Sequence, residues 1–353
     1  MSGSLEEHSP DKIKNCPHPR ETQDLYGHEH AETAFLTAIC ANKLHHAWLL
    51  EGPKGVGKAS LAYRVARRLL GTEPDPNNGI LGAKETDPLV RQIAVASFPD
   101  LMTITNGWNE KTKKWSHEIN VDQVRKISHL FANRAAGNGW RVCIIDCADD
   151  LNHNAANALL KTLEEPPKQG LLLLVCHKPG RLLATLRSRC RRLQLRAPGV
   201  ETAKRVAIDC GATEKNAHAA AVLAKGSPGR AAEIANANGL ELWAEIEGFF
   251  DQFPRLNQAK SYELAHRLAA KGAVQARALF LDLLQIRLEK EIHDRAVANQ
   301  TNSISPWLQA LEANQSLAND IGRINLDPAM TIVQLVTNIQ QAFTASERQL
   351  AGV

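Results

Sequence analysis

Two rhythms of apolar and polar residues divide the chain. Up to residue 197 or so, short apolar runs rich in Leu, Ile and Val alternate with stretches whose apolar positions return at helical spacing. The runs 47–50, 101–105, 141–146, 171–176 and 192–195 predict strands. Strands separated by helices are the pattern of a parallel sheet built from βαβ units, so the fold class is α/β. Beyond Pro198 no further strand is predicted, and helices are expected over 200–209, 214–224 and 230–237, followed by longer ones. Ile332, Val336, Ile339 and Phe343 fall on one face of such a helix, which must pack against something. Boundaries near residues 198 and 240 give a sheet domain over 1–197, with 1–20 flexible, a small helical lid over 198–240, and an all-α domain over 241–353. The segment 72–88, rich in Pro, Gly, Asn and Asp, reads as a loop or insertion.

Composition narrows this picture without deciding it. At 353 residues the chain has room for two or three domains, each with its own core. A formal charge of +4, from 42 Lys and Arg against 38 Asp and Glu, is too mild to argue for nucleic acid, so any DNA contact must come from local patches. The seven cysteines, Cys16, Cys40, Cys143, Cys147, Cys176, Cys190 and Cys210, include no CxxC pair and are expected to be reduced, mostly buried thiols of a cytoplasmic protein. The first residues, MSGSLEEHSPDKIKN, lack the apolar centre of a secretory signal, and the longest apolar run, 171–176, is too short to cross a bilayer.

The chemistry concentrates in 50-LEGPKGVGKASLAYRVARRLL-70, which matches G-x-x-x-x-G-K through Gly52, Gly57 and Lys58, with Gly55 between them. A predicted strand precedes it and a helix follows. Glycines let backbone N–H groups wrap a phosphate, the helix N-terminus adds a positive end, and the lysine reaches the phosphate oxygens. Where this loop normally carries a hydroxyl for Mg²⁺ the chain has Ala59, whose methyl offers no oxygen. Ser60 cannot substitute, since one step along a helix turns the side chain by about 100°. The strand 141-RVCIIDCADD-150 reads as a Walker B element ending in Asp146, but Cys147 stands where a glutamate would polarise the attacking water, and a thiol is a poor base for that task. Asp149 and Asp150 are expected to be helix caps. His45 and His46 are expected to be structural, because adjacent strand residues face opposite ways and no partner cluster accompanies them. Trp108 and Trp115, in 107-GWNEKTKKWSH-117, form a basic aromatic stretch suited to a hairpin that touches a partner protein or, alternatively, stacks on bases.

The segments 46-HAWLLEGPKGVGKASLAYRVARRLL-70, 144-IIDCADDLNHNAANALLKTLEEPP-167, 185-TLRSRC-190 and 226-GSPGRA-231 follow one another in an order and spacing that resembles bacterial clamp-loader subunits of the AAA+ class, and most of all the delta-prime type. The likeness spans about residues 20 to 240. It implies a P-loop AAA+ sheet domain, a helical lid and a C-terminal helical collar for oligomerisation. By position it assigns Gly52, Gly55, Gly57, Lys58 and Asp146 to a nucleotide site, Arg230 to the sensor 2 arginine of the lid, and Arg189 to an arginine finger acting in trans on a neighbour's ATP. It implies delta and gamma or tau subunits as partners, with the sliding clamp and primed DNA reached through the assembled complex and no membrane.

Departures from the family pattern bear on activity. Ala59 and Cys147 imply weak or absent ATPase, with ATP or ADP bound weakly, and the chain has no polymerase active site of its own. Residues 71–100 contain no cysteine, so the zinc module of many relatives is not expected and no metal is assigned. At the end of the fourth strand, where active motors keep a small polar sensor, the chain reads Cys176-His177. The reading is a non-hydrolysing ring subunit. The alternatives are an ATP-hydrolysing gamma or tau-type motor, an unrelated AAA+ helicase or repair ATPase, and a scaffold that binds no nucleotide. The lesser alternatives are that residues 187–196, RSRCRRLQLR, are only a solvated basic edge and that Arg230 merely opens a helix.

Overall fold

The computed structural model describes residues 13–109, 114–116, 118–255, 257–270, 272–323 and 326–351. The chain forms two compact units that divide between Glu233 and Ile234.

In chain order the first unit contains α1 (Glu29–Cys40), β1 (Ala47–Glu51), α2 (Lys58–Leu70), α3 (Pro88–Ala94), β2 (Leu101–Thr105), β3 (Gly107–Asn109), β4 (Lys114–Ser116), α4 (Val121–Ala132), β5 (Arg141–Asp146), α5 (His153–Glu164), β6 (Gly170–Cys176), α6 (Ala184–Arg187), β7 (Arg191–Gln194), α7 (Val200–Asp209) and α8 (Glu214–Leu223). The division falls within α9 (Pro228–Asn236). Five strands pair in parallel in the order β2-β5-β6-β1-β7, and β3 pairs with β4 as an antiparallel hairpin. The strands lie within a residue of their predicted bounds, and among the described residues no strand follows β7. This is the parallel α/β sheet, with a glycine-rich loop between β1 and α2, that the sequence pattern implied.

β1 and β6 are buried along their whole length, as a parallel sheet covered on both faces requires. Successive side chains feed opposite cores. Trp48, Leu50, Val142, Ile144, Leu171 and Leu173 join the α1 and α2 side, whereas Leu49, Cys143, Ile145, Leu172 and Leu174 join the α4 and α5 side. The ring of Phe35 lies 4.1 Å from that of Trp48. Each of these large side chains contributes about 1.5–3 kcal/mol through burial, so the sheet is a rigid base for the loops at its ends.

Two buried arginines of α2 fasten irregular backbone to this base. Arg64 pairs with Glu32 at 2.5 Å and donates to the carbonyls of Gln23 and Asn78, while Arg67 donates to Thr22 O at 2.7 Å. The segment around Thr22 and the loop around Asn78 are thereby held to one helix. The loop of residues 72–88 carries a bridge between Pro74 and Ala83 and a single 3-10 turn, Pro76–Asn78, so it is folded chain.

One expectation about the cysteines is corrected: Cys16 and Cys210, 194 positions apart, are joined as a disulfide. No spacing in the sequence signals a pair that meets only because the N-terminal segment folds back to the end of α7. Cys143, Cys176 and Cys190 are buried free thiols, Cys147 is half-buried and Cys40 is exposed. Of the terminus expected to be flexible, residues 1–12 lie outside the described residues.

The second unit consists of α10 (Gly239–Gln252), α11 (Gln258–Ala269), α12 (Val274–Val297), α13 (Ser305–Arg323) and α14 (Pro328–Ala351). Ile332, Val336 and Ile339 of the predicted stripe are buried, and the Phe343 ring stands 5.5 Å from that of Phe253. Arginines again tie helices together: half-buried Arg287 of α12 pairs with Glu247 of α10 at 2.9 Å, and buried Arg295 donates to Ser346 of α14 at 2.8 Å. Among the described residues no helix is long and apolar enough to cross a membrane.

Candidate functional site

The loop between β1 and α2 has a shape that only glycine permits at its tip. Gly55 has φ +77°, and a Cβ there would lie 2.3 Å from the backbone nitrogen of Arg230. Gly52 and Gly57 also have positive φ, and Gly57 opens α2 as its N-cap. Lys58, in the first turn, is only 3% exposed and donates to Gly52 O at 2.6 Å and Pro53 O at 2.5 Å. Burial pulls its pKa down to about 8, against the opposing pull of Asp146, Asp149, Cys147 and Cys176. The lysine is thus engaged by its own loop, and Asp146, at the end of β5, is near enough to act on it electrostatically. Ala59 packs its methyl against the core and leaves the hydroxyl position empty of oxygen.

The start of α9 clasps this loop. Ser227 Oγ donates to Lys54 O at 2.7 Å, and Gly229 N donates to Gly55 O at 2.8 Å. Glu233 joins both sides, pairing with Lys54 at 3.1 Å and with buried Arg230 at 2.7 Å. Burial alone would raise the Glu233 pKa, but Lys54 and Arg230 hold it below the usual carboxylate range. The backbone of Arg230 thus lies against the loop while its guanidinium turns to Glu233, and sequence reasoning singled out neither Glu233 nor Lys54.

At the ends of β5 and β6 the expected caps are replaced by another arrangement. Asn152 caps α5 by accepting from Ala155 N at 2.9 Å. Asp149 instead accepts from the amides of His177 at 2.5 Å and Lys178 at 2.9 Å, and from Cys176 Sγ at 3.2 Å. These bonds outweigh burial and keep its pKa below the ordinary value. Asp150 accepts from Asn106 Nδ2 at 2.6 Å and from Cys147 Sγ at 3.4 Å, and burial pushes its pKa up to about 6. Cap propensity was overridden because the 3-10 turn Ala148–Asp150 points these carboxylates across to neighbouring strand ends. Burial, helped by nearby Lys58, pulls His177 down to about 3, so it is neutral at pH 7. Burial also drives the Cys147 and Cys176 thiols well above the usual range. A protonated thiol at position 147 cannot act as a base for water.

Arg189 lies apart from its own loop, in the turn between α6 and β7. Its guanidinium pairs with Glu164, the last residue of α5, at 2.8 Å and donates to Thr185 O at 2.9 Å, with 36% of the side chain exposed. The neighbouring basic residues have internal partners too: Arg192 grips Glu51 through two bonds of 2.8 and 2.9 Å, and Arg191 covers the Trp48 ring at 4.6 Å. His45 and His46 stack, with centroids 4.3 Å apart, and bond to backbone; they precede β1, so the opposite-face expectation does not apply. Trp108 and Trp115 are cross-strand neighbours in the β3–β4 hairpin, while residues 110–113 and 117 lie outside the described residues.

Comparison with known proteins accords with this architecture. The family model described as DNA polymerase III, delta subunit, matches residues 27–199. DNA polymerase III subunit delta' of Escherichia coli is 30% identical over 280 residues, which is 78% of each chain. The same subunit of Pseudomonas aeruginosa is 38% identical over 154 residues, a match covering 44% of each chain, and the tau subunit of E. coli is 33% identical over 187 residues, 52% of this chain and 26% of that one. These matches take in less than half of the Pseudomonas relative and about a quarter of tau. A gamma subunit-related protein of Thermotoga maritima superposes with a TM-score of 0.40 at 15% identity, covering 89% of this chain and 99% of that one. On its identity to delta-prime over more than three-quarters of both sequences, the chain belongs to the delta-prime family of DNA polymerase III subunits.

Proposed function

We propose that this chain is a non-hydrolysing subunit of a cytoplasmic DNA polymerase III clamp loader, which assembles with delta and gamma or tau subunits and supplies Arg189 to a neighbour's ATP site during placement of a sliding clamp on primed DNA. The observation that carries this reading is a strand–loop–helix phosphate site that keeps Lys58 and Asp146 while Ala59 and a protonated Cys147 replace the groups that place a metal and activate water. Relatives named as delta-prime and tau subunits support the partners.

Gly52, Gly55, Gly57 and Lys58 would hold the phosphates of ATP or ADP, with Asp146 and Arg230 beside them. A bound nucleotide supplies a phosphate charge for Lys58, but the lysine must first leave the Gly52 and Pro53 carbonyls. The contact between Gly229 and Gly55 must also yield. Both costs argue for weak binding. The partial exposure of Arg189 supports a role outside its own chain, where a planar and permanently charged fork would neutralise charge on a transferred phosphoryl group. We further read the second unit as an oligomerisation collar.

The test is reconstitution of the loader with Arg189→Ala, ring assembly being checked by gel filtration. Arginine fingers contribute about 10³–10⁵ in rate, but a ring holds several ATP sites and this residue serves one. Total DNA-stimulated ATPase should fall in part, and clamp loading further. An intact ring with unchanged rates, or Lys58-dependent ATP turnover by the isolated chain, overturns the proposal.

A further inference from the structure

The ends of β5 and β6 bring together a donor set that phosphate chemistry does not use. A thiol sulfur of Cys147, a carboxylate oxygen of Asp149 and a ring nitrogen of His177 lie within 4.8 Å of one another. A second thiol adjoins them, since Cys176 Sγ is 3.2 Å from Asp149 Oδ1. Two sulfurs, an imidazole and a carboxylate are the ligands of a closed tetrahedral zinc site. With metal–ligand lengths of about 2.0–2.3 Å, neighbouring ligand atoms in such a site stand ~3.3–3.8 Å apart, so Cys147, Asp149 and His177 need shifts on the order of 1 Å to close on an ion, and Cys176, which stands outside that trio, must turn its sulfur from Asp149 toward the same point.

We propose that Cys147, Cys176, Asp149 and His177 bind one thiophilic divalent ion, zinc by the nature of the donors, at the place where nucleotide hydrolysis would require a water-activating base. A second observation points to a ligand there: Nδ1 of His177 is buried and makes no hydrogen bond. A buried imidazole nitrogen without a partner is a standing cost that a coordinate bond removes. Support outside the ligands is already built, because the His177 and Lys178 amides fix the Asp149 carboxylate.

Charge also favours an ion. Two thiolates and one carboxylate around a divalent cation leave one net negative charge, and Lys58 is the buried cation beside it. Binding breaks the S–H bonds of both cysteines and forms two metal–sulfur bonds, releasing two protons to solvent per ion. Sulfur and imidazole select zinc over magnesium or calcium, whose preference is for oxygen. Four protein ligands leave no open position for water, so the ion would pin the two strand ends together and would not hydrolyse anything. This inference does not depend on the clamp-loader reading, and its test involves no nucleotide or partner subunit.

Full-length protein stripped of metal with a chelator is titrated with Co²⁺ and then with Zn²⁺. The expected result is a near-ultraviolet sulfur-to-cobalt charge-transfer band with the intense visible bands of a tetrahedral site, saturating at one ion per chain and abolished by zinc. Cys147→Ser and His177→Gln, with folding checked by circular dichroism, should each weaken binding by about tenfold or more, while Cys40→Ser should not. The unsubstituted chain gives an independent reading should a variant misfold: zinc should protect Cys147 and Cys176 from alkylation mapped by mass spectrometry and leave Cys40 reactive. Absence of the charge-transfer band, a band unaltered in the folded variants, or alkylation of Cys147 indifferent to zinc overturns the proposal.

Discussion

Gly55→Ala tests whether the start of α9 is clamped on the phosphate loop. The residue sits at φ +77°, where an L-amino acid costs about 1–2 kcal/mol. The new methyl would meet Arg230 N at 2.3 Å and Gly229 C at 2.9 Å, both backbone atoms, so it cannot be relieved by a side-chain rotation. The start of α9 must withdraw, and with it go the Gly229–Gly55 and Ser227–Lys54 hydrogen bonds, each contributing about 0.5–1.5 kcal/mol. Against this, alanine restricts the unfolded chain and returns about 0.4–1 kcal/mol. The net expectation is a loss of about 2–4 kcal/mol, which at ~2–4 °C per kcal/mol for a unit of this size lowers the melting temperature by roughly 5–15 °C. Differential scanning calorimetry measures it. Ser227→Ala is the reference, since it removes one of those bonds without adding bulk. A Gly55→Ala protein melting with the parent would mean that the loop and α9 are not clamped as described.

Three further outcomes follow from the same contacts. Glu164→Gln frees Arg189 from a partly exposed ion pair worth about 0–1 kcal/mol, so melting should not change and loader ATPase should shift by less than about fivefold; a loss as deep as that of Arg189→Ala would refute the view of Glu164 as a weak latch. Glu233 has a folded pKa held below 4.5, so its contribution is present above that pH and is lost as pH falls through the depressed value. Thermal melts between pH 7 and pH 3 should therefore show an acid loss that is smaller in Glu233→Gln, and parallel curves would sink the clasp assignment. Deletion of residues 241–353 should leave a folded sheet unit that no longer co-elutes with the partner subunits, and retention in the complex would refute the collar.

The strands were legible because parallel strands buried on both faces must be short apolar runs, and each of the five sits between helical stretches. The phosphate loop was legible because glycine and lysine at fixed spacing have few other uses between a strand and a helix. What escaped was contact between distant positions. Lys54 and Glu233 are 179 residues apart, and nothing local in either marks the clasp they form. Cys16 and Cys210 meet for a similarly non-local reason. Asp149 misled because an acidic residue before a helix usually caps it, whereas here Asn152 took that role and left Asp149 to the amides beyond β6. Glu164 stood in plain view in LEEPP, but its pairing with Arg189 depends on how α5 ends beside the turn that follows α6.

The departures at Ala59 and Cys147 could be taken as two isolated losses from an otherwise receptive nucleotide site, but the surrounding polar groups argue otherwise. Lys58 is bonded to its own loop, Gly55 O to Gly229, Arg230 to Glu233, Cys147 to Asp150, and Cys176 to Asp149. A hydrolytic site holds such groups ready for phosphate, metal and water, and buried groups held ready are costly when the ligand is absent. Here most of them have an internal partner, whereas His177 Nδ1 makes no hydrogen bond, a cost that the proposed metal site would remove. The loop and the strand ends have thus become part of a stable framework. Arg189, by contrast, is held at the rim by a partly exposed pair with Glu164, of the kind that contributes little, and by one bond to Thr185 O. Rigidity at the internal site and a loosely held arginine at the edge are what a subunit needs if it is to serve its neighbour's chemistry without running its own.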